Sequence, residues 1–145
     1  MSQFFLMGDQ TLWNPSNGAS RLFRRQVAVF ETELGLPSGL GPMREDECRI
    51  DPDAFEVFVD ALLARHRGTS HAVMIALSEG FVATVLVLAE RAGVDVNRER
   101  GGPTTHEGRR DVQVPAPPPL TASDEAARAG ALRGRARELG RFMAR

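Results

Sequence analysis

The apolar positions along the chain change period several times, and each change marks an element. Residues 4–7 (Phe-Phe-Leu-Met) and 11–13 (Thr-Leu-Trp) are short apolar runs on either side of Gly8-Asp9. A glycine in that pair supplies the backbone freedom of a tight turn, so residues 3–13 read as a β-hairpin. Trp13-Asn14-Pro15-Ser16 then opens a helix. Asn14 or Ser16 can cap it by accepting an orphan backbone N–H, and proline suits a first turn. Ala19, Leu22, Phe23, Gln26, Val27, Phe30 and Leu34 follow at spacings of three and four, with Arg21, Arg24, Arg25 and Glu31 opposite, up to a stop at Gly35.

Residues 35–43 hold Gly35, Pro37, Gly39, Gly41 and Pro42 and are expected to be a loop. Residues 47–51 alternate in character and suit a further short strand extending the hairpin. Asp51-Pro52 repeats the cap-and-proline signal before a stripe of Phe55, Phe58, Val59, Leu62 and Leu63. Gly68-Thr69-Ser70 breaks that helix and offers Ser70 as the next cap. The third helix, residues 70–92, is apolar almost all round, which predicts burial on several faces. Its 18-residue core, residues 72–89, has the length of a short membrane span, but Ser78-Glu79-Gly80 sits at the centre, where a carboxylate is costly. A core helix, and no membrane, is the expectation.

Beyond Gly93 the pattern dissolves. Residues 97–121 are rich in Gly and Pro and read as an extended linker. Residues 122–145 form a last amphipathic helix, capped by Ser123 or Asp124. Its narrow stripe is Ala129, Leu132, Ala136, Leu139 and Met143, with Arg133, Arg137 and Arg141 opposite. Gly130, Gly134 and Gly140 weaken it, so alone it would be marginal in water. The expected fold is therefore α+β. A short hairpin with room for a third strand packs on three helices in a compact unit over residues 1–96, followed by the linker and the tail helix.

At 145 residues, 42% apolar and 26% charged, one soluble domain fits the chain. All 18 basic residues are arginine, in keeping with a GC-rich coding bias. Charge is uneven: residues 1–97 carry a net −5 and residues 98–145 a net +4. An acidic body with a basic extension gives nucleic-acid binding little support, and no zinc-finger, RNA-recognition or P-loop spacing occurs. Cys48 is alone, which rules out a disulfide within the chain. The first residues lack the basic start and long apolar run of an export signal, so the cytoplasm is the expected location.

Candidate chemistry is sparse. His66 and His71 lie five apart across a helix break, without a recognised metal spacing, and no metal or cofactor is expected. Cys48 follows Glu45-Asp46-Glu47, which would raise its pKa, so it reads as a buried structural thiol. Glu79 lies within the most apolar helix. There it either faces an exposed strip or lines a pocket as an acid/base, with Arg24, Arg25 or a histidine as partner. Trp13 and Asn14 form a strand-to-helix corner that is either a packing staple or a ligand-binding corner. Asp51 and Asp53 complement a helix dipole. Glu45, Asp46 and Glu47 are open as a docking patch, the chain's own basic tail being the simplest partner.

Residues 12–18 (Leu-Trp-Asn-Pro-Ser-Asn-Gly), 35–43 (Gly-Leu-Pro-Ser-Gly-Leu-Gly-Pro-Met) and 58–63 (Phe-Val-Asp-Ala-Leu-Leu) together resemble a family of small uncharacterised actinobacterial proteins. The resemblance covers roughly residues 1–95 and leaves the Pro-rich tail outside. It implies a bacterial, cytoplasmic setting and transfers no functional residue.

Two function classes follow. The first is a non-enzymatic interaction module that self-associates or docks a protein, using Glu45, Asp46, Glu47 and the tail stripe of Leu132, Leu139 and Met143. It rests on a third helix too apolar for one small domain to cover. The second is a small biosynthetic enzyme or small-molecule-binding protein with Glu79, His66, His71, Trp13 and Asn14 around a pocket.

Overall fold

A computed structural model describes residues 2–96 and 121–145. The linker expected over 97–121 falls outside the described residues, save Thr121. Two hairpins build one four-stranded sheet: β1 (Phe4–Met7) with β2 (Gln10–Trp13), and β3 (Leu40–Arg44) with β4 (Glu47–Ile50). Both pairs are antiparallel, and β4 lies parallel to β1, giving the order β2-β1-β4-β3. The strand expected near residues 47–51 thus does extend the first hairpin. It brings its own partner, β3, from within the stretch expected to be a loop.

That correction has a local cause. Leu40-Gly41-Pro42-Met43-Arg44 contains the two residues that most often interrupt strands. β3 is an edge strand, however, where a missing N–H is tolerated, and its pairing with β4 shifts register between Leu40 and Met43. A Cβ on Gly41 would meet the Arg49 carbonyl oxygen at 2.9 Å, so the close approach of the two strands requires glycine there.

The helix α1 (Asn17–Leu34) connects the two hairpins. Of the two caps expected, Ser16 acts, its hydroxyl accepting from the Ala19 N–H, and Gly35 ends the helix in the left-handed region. Phe23 and Val27 face the core, whereas Leu22 of the expected stripe is 62% exposed and Ser20 is buried in its stead. In α2 (Pro52–Gly68) Asp51 caps the start, and all five expected apolar residues are buried. α3 (Ala72–Arg91) begins at a cap formed by His71, whose Nδ1 accepts from Met74 N–H, rather than at Ser70. α4 (Ala122–Phe142) is capped by Thr121, with Asp124 reaching back in a capping box.

The core joins sheet and helices through a chain of ring contacts, edge-on where the sheet meets α1. Phe5 stacks on Trp13, both meet Phe23 of α1, and Phe81 of α3 bridges Phe23 and Phe30. Trp13 is therefore the packing staple of the two readings given above. The second half of α3 is buried from Phe81 to Ala89 except Thr84, because α2 lies against it on one side and α4 on another. Leu132 and Ala136 of α4 and Met143 just past its end belong to the same core, with Leu139 half-buried against it. The tail stripe is accordingly covered by the chain's own α3.

Candidate functional site: the clefts around His66

The last turn of α2 carries Arg65, His66 and Arg67, and His66 is where three helices meet. The apolar stripe of α2 turns its ring inward, leaving it 8% exposed. Its Nδ1 is buried and has no hydrogen-bond partner. Burial lowers the pKa of the ring, the nearby Arg128 guanidinium lowers it further, and Glu79 opposes both. His66 is thus held neutral in a site that disfavours its charged form.

Two clefts share this ring. One, of about 40 Å³, opens between α2 and α4 over a floor of Leu63, Leu86 and Leu132, with Arg67, Arg128 and Glu125 among its other walls. The second, of about 260 Å³, runs between α1, α2 and α3 beside Phe30, Leu62, Met74, Ser78 and Val82. Arg128 closes the seam between α2 and α4. It donates to the carbonyl oxygens of Thr69 at 2.6 Å and His66 at 2.9 Å, the α2 end left open by helix geometry. Arg65 pairs with Glu33 of α1 at 2.9 Å at the rim of the larger cleft.

The expected site residues are partly brought together. Glu79 is half-buried and lines neither cleft; its charge acts on His66, but no hydrogen bond or ion pair joins the two among the described residues. His71 instead caps α3, and neither it nor Trp13 lines either cleft at His66. The Trp13-Asn14 corner is occupied by the end of the chain: Asn14 N–H donates to Ala144 O at 2.9 Å. Asp46 accepts from Gln3, and Glu47 pairs with Arg49 at 3.2 Å, both at the β3–β4 turn. Glu45 and Asp46 take positive φ in that turn. Cys48 is fully buried, its thiol pKa raised chiefly by desolvation, and its Sγ donates to Gly41 O. No group of three or more His, Cys, Asp or Glu able to hold a metal occurs among the described residues.

Arg67 and Arg128 were not singled out by sequence reasoning. A signal for Arg128 exists, since it lies four residues before Leu132 on the apolar stripe of α4, off the exposed row of Arg133, Arg137 and Arg141. An arginine on an apolar stripe is a side chain with a buried acceptor to reach.

α3 divides into unlike halves. Over residues 72–80 one side of it borders the larger cleft and the other is open, with Val73 59%, Met74 40% and Leu77 74% exposed. It is the one described helix with the length and hydropathy of a membrane span, and 44% of that window is buried within the fold. Leu22 and Val29 of α1 are exposed as well.

No curated protein and no solved structure matches the chain. A family model does, and it runs through the tail as well as the first 95 residues. The chain belongs to a family of unknown function, DUF6086, whose model matches residues 1–145.

Proposed function

We propose that this protein is a non-enzymatic cytoplasmic interaction module that self-associates through the open side of the first half of α3. The observation that carries this reading is the exposure of Val73, Met74 and Leu77 on a helix whose second half is core. An apolar surface of this kind is stabilised by being covered, at about 25 cal/mol per Å² removed from water.

A second copy is the occupant that fits best. From Ala72 to Ser78 the helix carries no charge, so a two-fold axis brings nothing repulsive face to face, and no charge is offered to select a charged partner. Ala72, Ala76 and Gly80 recur every fourth residue and are exposed, which permits two helices to approach closely. The 260 Å³ cleft beside Met74 and Ser78 gives a partner's side chain a place to enter. The enzyme reading has less behind it, because of its residues only His66 lines the two clefts, with Glu79 acting on it through charge alone.

Light scattering across a concentration series tests the proposal. The expected result is a dimer that becomes monomeric on Leu77→Arg with the circular dichroism spectrum unchanged. A chain that stays monomeric at the highest concentration would refute it. So would a Leu77→Arg variant that is still dimeric, or a chain that leaves solution only with lipid vesicles.

A further inference from the structure

We propose that the cleft between α2 and α4 binds a short-chain aliphatic carboxylate, its charged end set at Arg67 and Arg128 and its alkyl end on Leu63, Leu86 and Leu132. This site lies on a different flank of His66 from the α3 face and does not depend on self-association.

The first support is charge without a counterpart. Arg128 is half-buried and donates only to carbonyl oxygens, while the Nε of Arg67 donates to Leu63 O at 3.3 Å. Neither makes an ion pair among the described residues. Glu125, exposed at the same cleft, leaves a formal excess of one positive charge over these three groups. A carboxylate placed between the guanidiniums would gain charge-assisted hydrogen bonds from donors that carbonyls do not fully use.

The second support is the His66 ring, more than nine-tenths buried at the border of this cleft and the larger one, with its Nδ1 enclosed and without a hydrogen-bond partner. A small turn of the ring toward the cleft would let a neutral imidazole with its proton on Nδ1 donate to a carboxylate oxygen, and that pairing would relieve the cost of a buried polar atom left unpaired. The third support is size and lining. A space of about 40 Å³ holds only a few small groups, since one water needs roughly 10–15 Å³ on the same scale. Three leucines on the floor favour an alkyl group over a second polar end. Together these select a ligand of two to four carbons with one carboxylate, and disfavour phosphates, sugars and dicarboxylates.

The test uses the full-length chain labelled with ¹⁵N, read through the imidazole nitrogens. Sodium butyrate is titrated at constant pH and ionic strength, with sodium chloride and neutral butyramide as comparisons. His66 is identified by the signal lost in His66→Phe, or, should that variant fail to fold, by elimination with His71→Gln and His106→Gln. Butyrate is expected to shift the His66 ring signals saturably, and the other two solutes to leave them in place. Arg67→Gln, at a half-exposed position, should weaken the butyrate titration about tenfold. The absence of a saturable shift overturns the proposal. An equal response to chloride or butyramide does so too, as does an Arg67→Gln chain that titrates like the natural one.

Discussion

Arg91, the last residue of α3, donates to the carbonyl oxygen of Met143 at 2.8 Å. The same guanidinium reaches Gly140 O at 3.0 Å and Leu12 O at 2.7 Å, joining the sheet, α3 and the end of α4 at one point. The planar fork of arginine reaches the three acceptors from two separate nitrogens, whereas an ammonium would have to serve all of them from a single atom. Arg91→Met should therefore lower stability by about 2 kcal/mol, read as a lower urea midpoint with an unchanged slope, and Arg91→Lys should recover only part of it. A midpoint within error of the natural chain would mean that water replaces the guanidinium at all three carbonyls.

His66 makes stability depend on pH with a defined sign. Its pKa in the folded chain is lowered from 6.5, first by burial, then by Arg128, with Glu79 opposing. The unfolded chain therefore takes up the proton first as pH falls. The stability that neutral His66 confers is complete above 6.5 and is lost progressively as pH drops toward the folded value. Thermal melts should show the midpoint falling below about pH 6.5, and His66→Gln should flatten that part of the profile. An unaltered profile in the variant would assign the effect to other groups.

Local signals were the legible ones. Ser16, Gly35, Asp51 and Pro52 act within a turn of where they stand, so the limits of α1 and the start of α2 could be read from neighbours alone. β3 could not, because an edge strand tolerates Gly41 and Pro42 that would disqualify a central one. The parallel contact of β1 with β4 joins residues far apart along the chain, which no local period encodes. The site divides the same way. His66 stood out by residue type, whereas Arg128 meets it from 62 positions away. α4 looked weak because of Gly130 and Gly134, which face open space, yet its stability comes from packing on α3 rather than from propensity.

Leu77 and Phe81 lie one turn apart on α3 and should behave as opposites. Phe81 is 2% exposed and stacked on Phe30 at 4.4 Å, so Phe81→Ala should lower stability by about 3–5 kcal/mol. Leu77→Ala should stay within about 0.5 kcal/mol when measured at a dilution where the chain is monomeric. A large loss at Leu77 under those conditions would mean that the first half of α3 folds back onto the body in solution.

Gly39 separates backbone conformation from crowding. Its φ is +80°, and a Cβ there would lie 2.7 Å from Asp51 O and 2.8 Å from Phe55 N, where α2 begins. Its carbonyl oxygen also accepts from Asp51 N–H at 2.8 Å, so the loop is fastened to that helix start. Gly35 offers the matched comparison, with φ +65° and nothing within 4 Å of where a methyl group would sit. Gly35→Ala should lose only the left-handed penalty of about 1–2 kcal/mol. Gly39→Ala bears the same penalty and must also displace backbone that cannot swing aside as a side chain can. Its loss should be clearly the larger in paired urea titrations, with weaker amide protection at Ala54 and Phe55. Equal losses would show that the loop lifts off the start of α2 at little expense, and that the fit of Gly39 against Asp51 contributes nothing beyond its φ.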